Sequence, residues 1–401
     1  MAVRPLSARP ARLRGRLRAS AVVAVCVAAL CPGVADAAAP AEPHDDRRLR
    51  QQIEEFVRGP GGPPGVIAVL RRDGSSRVVR AGVADLETGR PPRVDDHMRI
   101  ASTSKAFNGA VALALVDRGA LALDDTLRER LPRLPAAWGA VTLRQLLHHT
   151  SGLPDYTEDP AFLDILLDDP RHRFDSRRLL DFVADEPLRF RPGSRYRYSN
   201  SDNIAVALMT EAATGTRYER LLRDLVYRPL GLRRTGLPQG HRLPEPYLHG
   251  YEVTPPPPED VSELLSASGV WASGGIVSTP ADLTRFVRGY TGGALFGRAV
   301  TREQRRWREG ASEPAGPGRN KAGLGLFRYE TRCGVVLGHT GNFPGYTQLM
   351  AATPDGRRSL TFSVTTQINR DLAPDRLERL RAIQEDFVCD LLRDGRRTDG
   401  R

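Results

Sequence analysis

The chain has 401 residues, 40% hydrophobic and 27% charged, with a formal charge of +11. The basic residues are spread along the sequence without a Lys/Arg block, which fits a solvated surface and argues against a nucleic-acid interface. Lysine occurs only at Lys105 and Lys321 among 59 basic residues, so a lysine kept where arginine serves elsewhere marks a candidate for chemistry that needs an amine able to lose its proton.

Residues 1–38 read as an export signal. Arginines stand at positions 4, 9, 12, 14, 16 and 18, followed by an apolar run over 21–30 and the small-residue stretch Ala35-Asp36-Ala37. The run is too short to span a bilayer, adjacent arginines are missing, and Leu30 before Cys31 does not suit a lipoprotein cysteine. A secreted, cell-wall-associated protein without a stable membrane anchor is expected. Loss of the leader leaves a formal charge of about +6 and two cysteines, Cys333 and Cys389. In an oxidising compartment this pair suggests one disulfide, two separate buried thiols being the alternative.

Residues 45–57 have helical spacing and stop at Gly59-Pro60, and 65–70 and 77–82 read as strands joined at Asp73-Gly74. Phe107, Val111 and Leu115 place a buried helix over 105–118, closed by Gly119. Ser102 then stands at a helix N-terminus, one turn before Lys105 on the same face, as an activated serine nucleophile requires. Segments 143–147, 177–184, 204–214, 217–225 and 281–290 carry helix signals, while 255–258 and 310–320 read as surface loops. Strands return at 324–329, 334–337, 346–352 and 359–365, and 374–393 is a long amphipathic helix.

This order predicts a mixed α/β (α+β) domain over 46–395 with a tail at 396–401. An antiparallel sheet is built from both chain ends, about 46–104 and 320–395, flanked by terminal helices, with a large, mostly helical insertion over about 105–319. Neither a long linker nor an internal repeat divides the chain.

Two further segments complete what Ser102 needs. Arg191-Pro192-Gly193-Ser194 makes a turn ahead of Tyr198-Ser199-Asn200, and His339-Thr340-Gly341 follows a strand-like run where substrate backbone can add to an edge. Together with Ser102-Thr103-Ser104-Lys105 they resemble the penicillin-recognising serine hydrolases, class C beta-lactamases among them. More closely they resemble exported serine-type D-Ala-D-Ala carboxypeptidases of actinobacteria. The resemblance runs over roughly 66–389 and takes in Leu146-Leu147-His148-His149-Thr150-Ser151-Gly152 and Pro229-Leu230-Gly231-Leu232. Ser201-Asp202-Asn203 is a rival second element, but its distance from Ser102 favours the tyrosine triplet.

The resemblance implies a beta-lactamase/transpeptidase-like fold in which Ser102 attacks a D-alanine carbonyl to form an acyl-enzyme. Tyr198, with a phenol pKa lowered by Lys105, would relay the proton to the leaving nitrogen. The oxyanion would lie between the N–H groups of Ser102 and Asn342, and Asn200 would orient the substrate amide or Lys105. His339 would donate to Tyr198 and, when protonated, attract a substrate carboxylate, making activity depend on pH near neutrality. Thr340 and Gly341 complete the substrate-binding strand, and Cys333 with Cys389 resembles the family's disulfide.

Asn342 replaces a threonine of the family pattern, and Phe327 stands where a carboxylate-binding arginine is expected. Arg328 beside it is the remaining candidate, turned to the other face by strand alternation. Trp271 is read as core or rim packing, with lining of the cleft as the alternative, and His148, His149 and Ser151 as a supporting turn. Ser273-Gly274-Gly275 is read as close backbone packing. No H-E-x-x-H, G-x-S-x-G or phosphate-loop context occurs, so neither metal nor cofactor is expected.

The expected function is a D-Ala-D-Ala carboxypeptidase/transpeptidase, a monomer acting on peptidoglycan-type peptides or beta-lactams. The alternatives are a class C-like beta-lactamase, a broad esterase or D-aminopeptidase, and a non-catalytic sensor.

Overall fold

The two chain ends meet in one antiparallel sheet of a computed structural model that describes residues 44–393, Asp73 excepted. The leader over 1–38 and the tail over 396–401 lie outside the described residues. Among those described, the sheet has eight strands: β1 (Gly65–Arg72), β2 (Ser75–Gly82), β3 (Arg308–Glu309), β4 (Arg319–Ala322), β5 (Phe327–Thr331), β6 (Gly334–Phe343), β7 (Tyr346–Ala352) and β8 (Ser359–Val364). Their order is β2-β1-β8-β7-β6-β5-β4-β3. The junction of the ends is β1 on β8, with Val66 opposite Val364 and Leu70 opposite Leu360.

Alternation along β1 sorts the core into two layers. Val66, Ala68 and Leu70 meet the terminal helices α1 (His44–Arg58) and α6 (Pro374–Leu392), where Leu49, Ile53 and Phe56 pack with Leu380, Phe387 and Leu391. Ile67 and Val69 face the other layer, with Phe107, Val111 and Phe286. Helix α2 (Ser104–Asp117) is buried along almost its whole length, as its run of Ala, Val and Leu requires of a helix apolar all round. The remaining helices that bear on the site are α3 (Pro160–Asp168), α4 (Asn200–Thr214) and α5 (Pro280–Thr291).

Several boundaries differ from the sequence reading. Residues 179–183 form a 3-10 turn within the segment read as helix over 177–184. Helix α4 begins at Asn200, four residues earlier than read, so Tyr198-Ser199 leads directly into it. Strand β6 runs on to Phe343 and contains His339-Thr340-Gly341. Short strands β3 and β4 flank the loop read over 310–320. The Cys333–Cys389 disulfide ties the β5–β6 turn to α6. Among the described residues no helix is long and apolar enough to cross a membrane.

Candidate active site

Ser102 sits in a 3-10 turn, Ala101–Thr103, that leads into α2. Its neighbour Ala101 has φ +51°, a left-handed backbone that costs a non-glycine residue about 1–2 kcal/mol. The turn packs against β6 at Gly341, where an added Cβ would press on the Ile100 carbonyl and stand 3.2 Å from the Ser102 nitrogen. Glycine is what allows strand and turn to approach this closely.

Lys105, 1% exposed, projects from the first turn of α2. Its Nζ lies 3.0 Å from Ser102 Oγ, 2.8 Å from Asn200 Oδ1 and 2.8 Å from the Ser273 carbonyl. The last two groups can only accept, so they fix two N–H bonds and leave the third tetrahedral position of the nitrogen facing the serine. Asn200 is itself held, its Nδ2 donating to Asp155 Oδ2 at 3.2 Å and to Thr157 Oγ1 at 3.1 Å. Burial pushes the Lys105 pKa down to about 7, against the opposing pull of Asp155 and Glu313.

Tyr198 corrects an expectation. Burial holds its phenol pKa well above the ordinary value, and the Ser102 hydroxyl is the main group opposing that rise. A half-neutral lysine does not supply the charge that would ionise a fully buried phenol. The Lys105 nitrogen instead stands 4.9 Å from the centroid of the Tyr198 ring, and the buried phenol oxygen has no polar neighbour in hydrogen-bond geometry, the Ser102 hydroxyl standing nearby.

Beneath Tyr198 the ring of His149 stacks at 4.5 Å. His149 Nδ1 accepts the Ser199 N–H at 3.2 Å and lies 3.3 Å from Asp202 Oδ2, while the Ser151 hydroxyl donates to Asp202 Oδ1. Burial raises the Asp202 pKa well above the carboxylate range and lowers that of His149 well below its own. The pair is therefore neutral, with a carboxyl proton available to join it, and Ser201-Asp202-Asn203 serves as support under the tyrosine.

On the far side of Ser102, β5 pairs with β6 only as far as Phe327 opposite Gly338, whereas β7 pairs with β6 through to Phe343 opposite Tyr346. The turn between Phe343 and Tyr346 has two residues, so these two exchange both backbone bonds, as do Gly341 and His339 with their β7 partners. Thr340 and Asn342 consequently turn their N–H and C=O groups to the open edge, beside the Ser102 turn.

The other predicted site residues divide. His339 Nδ1 donates to the Thr340 carbonyl at 2.6 Å and its Nε2 has no partner. Burial takes its pKa down to about 3, so it carries no charge near neutrality and its one ring proton is already engaged. This corrects both the charge and the donation to Tyr198 expected of it. Thr340 Oγ1 donates to the Pro314 carbonyl at 2.6 Å, fixing the loop over 311–315. The Asn342 amide accepts from Gln367 and Asn369 and donates to Thr347 and the Ile368 carbonyl, so it braces the loop after β8, and the residue also lines the cleft.

Arg328 and Trp271 stand outside the cleft. Arg328 lies on the other side of β5 from Phe327, 3.1 Å from Glu330 and opposite Lys321 in the ladder; Phe327 meets His339 edge-on at 4.9 Å instead. Trp271 is fully buried, donating to Glu219 at 3.1 Å beneath the Arg177 guanidinium. A large ring that is itself fully buried, with its one N–H taken by the half-buried Glu219, belongs in the core.

The cleft itself has a volume of about 870 Å³. Ser102, Tyr198 and Asn200 form its floor, Phe162, Leu163 and Leu166 of α3 an apolar wall, and Glu313, Arg370 and Asp371 its polar side. Sequence reasoning missed Asp155, Glu313 and the α3 wall. It singled out Ser273-Gly274-Gly275 as close packing without seeing that the Ser273 carbonyl orients Lys105.

Penicillin-binding protein 4* of Bacillus subtilis (strain 168) is 26% identical to this chain over 298 residues, 70% of this chain and 63% of its own length. Esterase EstB of Burkholderia gladioli is 37% identical over 199 residues, 46% of this chain and 50% of its own. The aligned segments thus span between half and just under two thirds of these relatives. A D-stereospecific amidohydrolase from Streptomyces sp. superposes with a TM-score of 0.72 at 28% identity, over 84% of this chain and 98% of that one. The beta-lactamase family model matches residues 49–385, and by that match the chain belongs to the beta-lactamase family of penicillin-recognising serine hydrolases.

Proposed function

We propose that this chain is an exported hydrolase of small D-amino-acyl amides, peptides or esters, with Ser102 as nucleophile and Lys105 as its base. The observation that carries the reading is the Lys105 nitrogen, held by two acceptors with its remaining position on Ser102 Oγ at 3.0 Å. An amine with a pKa of about 7 is in its basic form for about half the molecules at neutral pH.

In the first step Ser102 Oγ bonds to the substrate carbonyl carbon and its proton passes to Lys105 Nζ. The oxyanion faces the N–H groups of Ser102 and Asn342, donors typically worth about 3 kcal/mol each. Collapse breaks the bond to the leaving nitrogen or oxygen. The protonated Tyr198 phenol gives that atom a proton and recovers one from the Lys105 ammonium. Water then attacks the acyl-enzyme by the same route in reverse and releases the acid.

The names of the relatives, a penicillin-binding protein, an esterase and a D-stereospecific amidohydrolase, support acyl transfer without choosing among substrates. The disulfide and the arginine-rich leader support export. A D-Ala-D-Ala carboxypeptidase is the second reading, favoured by Arg370 on the cleft rim, a cation for a terminal carboxylate that Arg328 and His339 do not provide. Measuring kcat/KM for a D-amino acid amide and for an acyl-D-Ala-D-Ala peptide, with Ser102→Ala as control, tests both. Faster turnover of the peptide replaces the first reading by the second, and undiminished turnover by Ser102→Ala overturns both.

A further inference from the structure

Glu313 has no part in the chemistry described so far, yet it stands in the cleft. It belongs to the loop over 311–315, which lines the cleft together with Phe162, Leu163 and Leu166 of α3, and it is exposed to solvent there. That loop is fixed at several points. The Tyr196 hydroxyl donates to the Ala311 carbonyl at 2.5 Å, Thr340 Oγ1 to the Pro314 carbonyl at 2.6 Å, and Ser312 Oγ lies 3.1 Å from the Tyr329 hydroxyl. The carboxylate is therefore presented from an anchored loop.

Its surroundings are acidic. The charges that act on Glu313 are those of Lys105, Asp155, Glu158 and Asp371, and no hydrogen bond is among them. Glu158 is taken by Arg197 at 2.8 Å, and Asp155 by Asn200. Partial desolvation in the cleft of a carboxyl whose side chain is otherwise exposed, together with the three neighbouring acids, raises the Glu313 pKa, and Lys105 opposes the rise. When Lys105 gives up its proton to act as a base, that opposing charge disappears. Arg370 and Arg381 also line the cleft, but among the described residues no cation makes an ion pair with Glu313, so its carboxylate is open to a cationic group of the substrate.

We propose that Glu313 is a specificity residue that pairs with the free α-ammonium group of the acyl donor, so that the preferred substrates are amides or esters of apolar amino acids with an unblocked amino group. The carbonyl lies on Ser102, the ammonium turns to Glu313, and the side chain rests on Phe162, Leu163 and Leu166. This assignment rests on the Ser102 reading above and deepens it.

The test compares D-phenylalanine p-nitroanilide with its N-acetyl derivative on the mature protein, and the readout is the ratio of the two kcat/KM values. Wild type is expected to favour the free amine. Glu313→Gln should lower the ratio at least about tenfold, and Glu313→Lys should bring it below one, as the loss and reversal of a charge pair require. A wild-type ratio near or below one, or a ratio that neither substitution moves, overturns the role of Glu313 whatever Ser102 does. Undiminished turnover by Ser102→Ala overturns the nucleophile whatever the ratio does, so the two claims fail separately.

Discussion

The Lys105 amine lies 3.0 Å from the Ser102 hydroxyl, and its two other partners, Asn200 Oδ1 and the Ser273 carbonyl, are groups that only accept. This arrangement makes Lys105 the natural base at neutral pH, because burial has already lowered its pKa to about 7.

A pH profile follows. Below about pH 7 the amine is protonated, so log(kcat/KM) should fall with unit slope, and above it the rate should level off. Lys105→Arg, which never deprotonates, should lose at least about a hundredfold in acylation rate. A limb set by His339 would instead lie near 3, far from the neutral range.

The same burial appears in stability. An unfolded lysine keeps its proton to about 10.4 while the folded one releases it near 7, so between those values the unfolded chain binds more protons and stability rises with pH. The penalty is complete below pH 7. Lys105→Met should therefore raise Tm more at pH 6 than at pH 9, measured by thermal unfolding; an equal shift at both would mean that Lys105 titrates normally in the fold.

Asp202 and His149 form a neutral pair under Tyr198. Asp202→Asn keeps an acceptor for Ser151 and a donor for His149 and should cost less than about 1 kcal/mol, whereas Asp202→Ala leaves buried groups unpaired and should cost about 1–3 kcal/mol. Because the folded carboxyl pKa is raised, Asp202 favours folding least above the ordinary carboxylate range, so the Asn variant should gain relative stability as pH rises from 4 to 8. Denaturant unfolding at the two pH values checks both statements.

Gly341 permits the contact between β6 and the Ser102 turn. Gly341→Ala drives its Cβ against the Ile100 carbonyl and should displace the Ser102 and Asn342 N–H groups from each other. Acylation should slow by roughly a hundredfold or more, the cost of losing an oxyanion donor, and stopped-flow acylation by a chromogenic beta-lactam measures it.

The disulfide is remote from this chemistry. Its sequence separation of 56 corresponds to about 4 kcal/mol of loop-closure stabilisation in the chain-entropy model. The Cys333→Ser, Cys389→Ser double variant should unfold at lower denaturant while its rate of acylation stays within about twofold of wild type, being outside the site.

Periodicity and spacing made part of this legible. The strand over Tyr346–Ala352 and the helices α1, α2 and α6 follow from apolar repeats read against their turn residues. The S-x-x-K spacing placed Ser102 and Lys105 together because residues three apart share a helix face. Strand β6 hid its second half because Gly338, His339 and Gly341 have low strand preference, and only the register with β7 shows them extended. Helix α4 hid its start because Tyr198-Ser199-Asn200 has no apolar rhythm. The signs of the Tyr198 and His339 shifts were out of reach, since proximity to a lysine is written in the sequence and depth of burial is not. Glu313 was illegible for the same reason: its loop is held at the cleft by contacts with Tyr196, Tyr329 and Thr340, residues distant in the sequence.

Intact-mass measurement of the mature protein mixed with a fluorescent penicillin is the most direct test of the central claim that Ser102 is the nucleophile. The account predicts one penicilloyl adduct on wild type, located by peptide mapping at Ser102, and none on Ser102→Ala. An adduct of equal yield on Ser102→Ala, or one mapped to Ser151 or Ser199, would contradict it.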